Sequence, residues 1–107
     1  MIATIAQWAG VPAASIGVGV DGCTAACFAL PLSAMARSYA ALVTSADPSA
    51  IEVRNAFLAH PHLIAGEGRF CTAVMQALPG QLIAKVGAEG VYSAAWVPAG
   101  VAIALKV

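Results

Sequence analysis

Residues 81–107 read QLIAKVGAEGVYSAAWVPAGVAIALKV, and this stretch decides the fold. Three short, partly β-branched runs, Gln81–Val86, Val91–Val97 and Val101–Val107, alternate with Gly87-Ala88-Glu89-Gly90 and Pro98-Ala99-Gly100. Short apolar runs bounded by glycine and proline read as strands joined by tight turns, so the sequence predicts an antiparallel meander. The final run reaches Val107 without a polar ending, which suggests that the sheet lacks neighbours. An apolar strand edge left uncovered is an aggregation liability.

Upstream of the meander the texture is helical. Ile2, Ile5, Ala6 and Ala9 fall at helical spacing, and Gly10-Val11-Pro12 ends that helix because proline cannot continue it. Ser15–Val20 alternates Ile16, Val18 and Val20 with glycines, an extended pattern that Asp21-Gly22-Cys23 then turns. Pro31 suits a first helical position, and Leu32, Met35, Ala36, Tyr39 and Leu42 form an apolar stripe after it. Asp47-Pro48 is a second helix start, with Asp47 as N-cap and Pro48 at N1, followed by Ile51, Val53, Phe57 and Leu58. His60-Pro61 closes that helix, since the residue before proline is pushed out of helical geometry. A loop at Gly66-Glu67-Gly68 leads to a short helix burying Phe70, Ala73, Val74 and Ala77 or Leu78, ended by Pro79-Gly80. Helices first and sheet last make the class α+β, with helices packed on a C-terminal antiparallel sheet.

At 107 residues the chain is one domain at most. Its residues are 61% hydrophobic and 9% charged, against roughly 25% charged in an ordinary soluble domain. Disorder is excluded, and five Lys/Arg with five Asp/Glu cannot coat the surface. Either the exposed face is greasy or the chain belongs to something larger. The zero net charge speaks against a nucleic-acid or anionic-membrane partner, because there is no basic patch to exchange for counterions. The charge-free start, Met1–Val20, lacks a basic n-region and is interrupted by Gln7, Gly10, Pro12 and Ser15, so membrane spanning is not expected. Three cysteines, an odd number, read as reduced thiols of a cytoplasmic protein.

Few residues could carry chemistry. Lys85 sits at the end of an apolar strand before a glycine-bearing turn. Partial desolvation there would favour a neutral amine, and the glycines let backbone N–H groups approach a ligand. A plain solvated strand-end lysine fits the same spacing. Asp21 and Cys23 put a carboxylate and a thiol on one turn; thiolate is a soft-metal ligand, but zinc wants about four donors. Cys23 and Cys27 otherwise read as small buried hydrophobes. His60 and His62 flank Pro61 and could face one metal, although a helix C-terminus favours histidine in any case. Trp8, Tyr92 and Trp96 read as packing residues, since no basic residues interleave with them. No Gly-x-Ser-x-Gly, no phosphate-binding Gly-x-x-x-x-Gly-Lys and no Ser-x-x-Lys occurs; none of Ser15, Ser33, Ser38, Ser45, Ser49 and Ser93 has a lysine three positions on.

Taken together, Val20-Asp21-Gly22-Cys23, Phe28-Ala29-Leu30-Pro31-Leu32, His60-Pro61, Gly66-Glu67-Gly68-Arg69-Phe70 and Lys85-Val86-Gly87-Ala88-Glu89-Gly90-Val91-Tyr92 resemble the bacterial type II asparaginases of the Rhizobium inducible kind. Order and spacing match across almost the whole chain. The Lys-x-Gly-Ala-Glu-Gly-Val-Tyr run and the Asp-Gly-Cys turn are the most specific elements. The resemblance covers the C-terminal third of such a protein, so residues 1–107 are expected to be a single partial domain.

The resemblance implies a partial fold of the serine β-lactamase and glutaminase kind and hydrolysis of L-asparagine to aspartate and ammonia. It implies a serine nucleophile on a Ser-x-x-Lys helix upstream. By position Lys85 is the sheet lysine facing that site, tuning proton transfer and countering developing charge. Cys23 matches a zinc ligand that a Cys and a Lys from upstream would join. Asp21 is implied as a carboxylate that either supports that zinc ligand or contacts substrate, and Gly87 and Glu89 of the turn match the substrate-binding side. Two departures stand out: Ala26 where the family has proline, and Cys71 where it often has aspartate.

The expectation is therefore a truncated amidohydrolase, inactive alone for want of its nucleophile, binding zinc weakly if at all. Two alternatives remain open. The chain could be half of a split enzyme completed by a second chain or by another copy, or a non-catalytic remnant used for binding. The residues do not choose asparagine over glutamine or a similar small amide.

Overall fold

Proline and glycine cut the chain into pieces that fold as the punctuation dictates. The computed structural model describes all residues, 1–107. Helix α1 spans Ile2–Ala9 and stops at Gly10, which takes the left-handed conformation at φ 64°. A hairpin follows, β1 Gly17–Val20 against β2 Ala26–Ala29. Then come α2 Leu32–Thr44, α3 Pro48–Ala59, α4 Pro61–Ala65 and α5 Phe70–Ala77. The chain closes with β3 Leu82–Val86, β4 Val91–Trp96 and β5 Val101–Lys106.

The class is α+β, with both sheets antiparallel and the larger one ordered β3-β4-β5. The three strands fall where the alternation of apolar runs and turns puts them. Asp47 caps α3 through its side chain, accepting the Ser49 N–H at 2.8 Å, with Pro48 in the first turn. Such a cap is worth about 1 kcal/mol. No helix is long and apolar enough to cross a membrane.

Several local readings need correction. Pro31 is the N-cap of α2 rather than its first helical residue. His60-Pro61 closes α3 as read, but a further short helix, α4, starts at Pro61 at once, a position where its missing N–H costs nothing. Strand β2 was not foreseen, because ACFA carries no alternation; its pairing is imposed by the turn at Asp21. The buried face of α5 is Cys71, Thr72 and Met75, while Phe70 and Ala73 face outward. The Thr72 hydroxyl fixes that rotation, donating to the Gly66 carbonyl at 2.6 Å. In α2, Tyr39 and Leu42 of the expected stripe reach the core, while Leu32 is exposed.

The cross-strand register divides the sheet into two faces. Ile83, Lys85, Ser93, Ala95, Ala102 and Ala104 share one. Leu82, Ala84, Val86 and, across from them, Trp96, Ala94 and Tyr92 share the other with Val101, Ile103 and Leu105 of β5. On the first face Val43 of α2 packs with Ile83 and Ala95, joined by Tyr39, Phe57 and Ala102. On the second, Cys71 and Met75 of α5 pack on Ala84, joined by Val86, Tyr92 and Ala94. Burial of Ile83 and of Met75 contributes roughly 1.5–3 kcal/mol each. Two caps tie helices to the chain: Arg37 donates to the Ala9 and Gly10 carbonyls at the end of α1, and Arg54 to the Val43 carbonyl near the end of α2.

Candidate functional site

Lys85 is half-buried at the end of β3, directly opposite Ser93 on β4. Its Nζ donates to the Val86 carbonyl at 2.5 Å. The direction of that carbonyl follows from the peptide plane. The Gly87 N–H donates to Val91 O at 2.8 Å and so points toward β4. In a trans peptide the preceding C=O points the opposite way. The ammonium therefore lies at the outer edge of β3, the open side of the sheet.

The turn after Lys85 is tightly packed on the facing strand. At Gly87 a Cβ would lie 3.0 Å from the Val91 Cβ, so a side chain there would press on the facing strand. Glu89 sits at φ 52°, an unusual conformation for a residue with a side chain, and Gly90 follows at φ 74°. Glu89 is exposed, and its carbonyl accepts a hydrogen bond from Lys106 Nζ at 2.5 Å. The turn is thus held by backbone and by Lys106, which leaves the Glu89 carboxylate free for solvent or ligand.

Asp21 and Cys23 occupy the other predicted position, the tip of the β1–β2 hairpin. One carboxylate oxygen, Asp21 Oδ1, accepts from the Cys23 N–H at 3.0 Å, the Cys23 thiol at 2.9 Å and the Ala25 N–H at 3.2 Å. The thiol and the backbone N–H of Cys23 hold the Asp21 carboxyl below its usual range. Thr24, at φ 65°, completes the turn. Strands β1 and β2 pack substantially only on each other, and both are largely exposed.

The structure therefore brings Lys85, Gly87 and Glu89 together on one turn, and Asp21 with Cys23 on another. No hydrogen bond joins the two groups.

Zinc can be tested against this donor set. Cys23 and Asp21 offer two donors on one turn. His60 and His62 stand with ring centroids 6.3 Å apart, edge to face. Nowhere do three or more His, Cys, Asp or Glu side chains converge as a metal would need. A four-coordinate zinc site is not filled by these residues.

Sequence reasoning missed one meeting point. Cys71 on α5 and Tyr92 on β4 touch, Sγ to Oη 2.6 Å, although 21 positions separate them. Phe70 stacks edge-on to Tyr92 at 5.7 Å. With Gly68, Arg69 and Val86 they line a cavity of about 270 Å³. Burial and the bond to Cys71 push the Tyr92 phenol well above its usual value, with Arg69 opposing the shift. By register this cavity opens on the sheet face opposite Lys85. No local pattern announces the contact. The one signal was that Gly-Glu-Gly-Arg-Phe and Gly-Val-Tyr both belong to the resemblance.

A family model for L-asparaginase II matches residues 1–107, the full sequence given. No curated protein matches the chain.

Proposed function

The chain belongs to the L-asparaginase II family, and from that premise we propose that it supplies one wall of an amide-cleaving site. The substrate class is L-asparagine or a closely similar small amide. Lys85 is the charged group of that wall, with Gly87 and Glu89 lining the turn beside it. Asp21 is a further substrate-side carboxylate, and Cys23 contributes one thiolate toward a zinc site that other residues must complete.

The observation that carries this reading is the position of the Lys85 ammonium, at the open edge of β3 and beside the turn in which Gly87 packs tightly on Val91. A fixed cation at a sheet edge is suited to a developing oxyanion. Preorganised charge of that kind lowers the barrier without reorganisation at the moment of reaction. In amide hydrolysis by an alcohol nucleophile, the hydroxyl oxygen attacks the carboxamide carbon and its proton passes to the leaving nitrogen. Ammonia departs, and water then cleaves the ester to release the acid. Lys85 would counter the charge on the carbonyl oxygen and tune the proton's path. The attacking hydroxyl of the family lies on Ser-x-x-Lys, which these 107 residues do not contain. The isolated chain is therefore inert toward asparagine.

The test is complementation. A family segment bearing Ser-x-x-Lys, mixed or co-expressed with this chain, should restore ammonia release from asparagine, and the restored activity should depend on Lys85. Full activity of the segment without this chain, or of the pair with Lys85→Met, would refute the assignment.

A further inference from the structure

We propose that the cavity at the start of α5 binds a small monocarboxylate with an apolar body, held by Arg69 and by the first N–H groups of the helix. The site stands apart from the amidohydrolase reading, because by register it opens on the sheet face opposite Lys85.

Of the three arginines, Arg37 and Arg54 donate to carbonyls at or near helix ends, whereas the Arg69 guanidinium makes no hydrogen bond and no ion pair. It is exposed, it lines a cavity of about 270 Å³, and it lies close enough to Tyr92 to counter the rise in that phenol's pKa. No carboxylate lines the cavity, and the first turn of α5 carries no acidic residue. A guanidinium offers donors in a planar fork that matches a carboxylate.

The backbone makes a second, independent demand for an acceptor. Helix α5 has no side-chain cap; its N-cap is Arg69 itself, whose side chain holds donors only. The first bond of the helix runs from the Ala73 N–H to the Arg69 carbonyl at 3.0 Å, so the N–H groups of Phe70, Cys71 and Thr72 have no partner. Cys71 is 1% exposed and forms part of the cavity wall. A buried N–H without an acceptor is rare and costly. The helix dipole favours a negative charge at the same place.

The rest of the wall selects what the anion is attached to. Phe70 and Val86 are apolar, and Phe70 is 69% exposed, a ring that an apolar ligand body would take out of water. The Tyr92 hydroxyl is already engaged by Cys71, so it shapes the wall rather than holding the ligand. The volume lies just below the ~300–1,000 Å³ of sites for drug-sized molecules, which sets a small occupant. One full positive charge beside apolar walls suits a monocarboxylate better than a phosphate group, which carries about two negative charges at neutral pH.

NMR titration of the purified chain with sodium benzoate tests the site, with benzamide as the uncharged isostere and inorganic phosphate as the rival anion. Saturable benzoate binding is expected, with the Phe70 and Cys71 amide protons moving downfield as they gain an acceptor. Benzamide and phosphate should bind about tenfold more weakly or worse. Arg69→Gln should weaken benzoate by about tenfold or more, and Arg69→Lys, a point charge without the fork, by less. Lys85→Met should leave benzoate binding unchanged, which separates this site from the amide-cleaving one. Should Arg69→Gln fail to fold, the amide shifts of the unaltered chain and its preference for benzoate over benzamide decide. No saturable binding, phosphate tighter than benzoate, equal affinity for benzamide, benzoate insensitive to Arg69→Gln, or benzoate lost in Lys85→Met would overturn the proposal.

Discussion

Cys71 Sγ and Tyr92 Oη lie 2.6 Å apart, a contact that binds helix α5 to strand β4. It joins the end of the Gly-Glu-Gly-Arg-Phe segment to the Lys-Val-Gly-Ala-Glu-Gly-Val-Tyr segment, two of the motifs that carry the family resemblance. What the sequence separates by 21 residues, the fold makes one unit. Cys71 is fully buried, so a thiol deprived of this partner has no water to replace it.

Both tyrosines titrate late. Burial raises Tyr39, and burial with the Cys71 contact raises Tyr92. A folded-state pKa above the unfolded value means that the stabilisation is fully present below about pH 10 and is lost as pH rises through the folded values. Phenolate absorbance of the native chain should therefore appear later than in urea, and the melting temperature should fall above about pH 10. Tyr92→Phe should flatten that fall. A melting curve that is flat with pH in the parent chain contradicts it.

Gly100 closes the β4–β5 turn at φ 66°, and a Cβ there would approach Thr44 Cγ2 at 2.5 Å. Left-handed strain and the clash with the end of α2 add, so Gly100→Val should cost about 1–3 kcal/mol. In a domain of this size that lowers the melting temperature by about 5 °C or more. Thermal unfolding checks it, and an unchanged midpoint would show that the turn relaxes freely.

The meander was legible because each strand is apolar, short and bounded by glycine or proline. The Asp47-Pro48 helix start was legible because its capping chemistry is local. Strand β2 was not, since ACFA pairs with β1 only once the Asp21 carboxylate has organised the turn. The rotation of α5 was also hidden, because Thr72 reads as polar yet is buried by its bond to Gly66. Lys85 could be singled out from its context. Its direction, off the β3 edge, depends on which way the Gly87 peptide points, and that is a property of the paired sheet. The Cys71–Tyr92 contact links two elements, and neither stretch alone carries a sign of it.

Zinc should bind weakly. Cys23 and Asp21 provide two donors and no third converges, so equilibrium dialysis should find no tight, stoichiometric metal. Cys23→Ala should change little in that measurement. Tight binding at one zinc per chain, lost on Cys23→Ala, would mean that the hairpin finds further ligands.

In a complemented enzyme, Lys85→Met should lower turnover by about a hundredfold or more, the scale of a lost charge-stabilising or proton-tuning group. Lys85→Arg, which keeps the charge but not the titrating amine, should restore only part of it. Equal rates for all three chains would remove Lys85 from the site.

The most direct measurement is ammonia release from L-asparagine by the purified chain alone. The account predicts none above the uncatalysed background, because these 107 residues contain no Ser-x-x-Lys to supply the family's attacking hydroxyl. Turnover at an ordinary enzymatic rate, in a preparation free of other hydrolases, would contradict it.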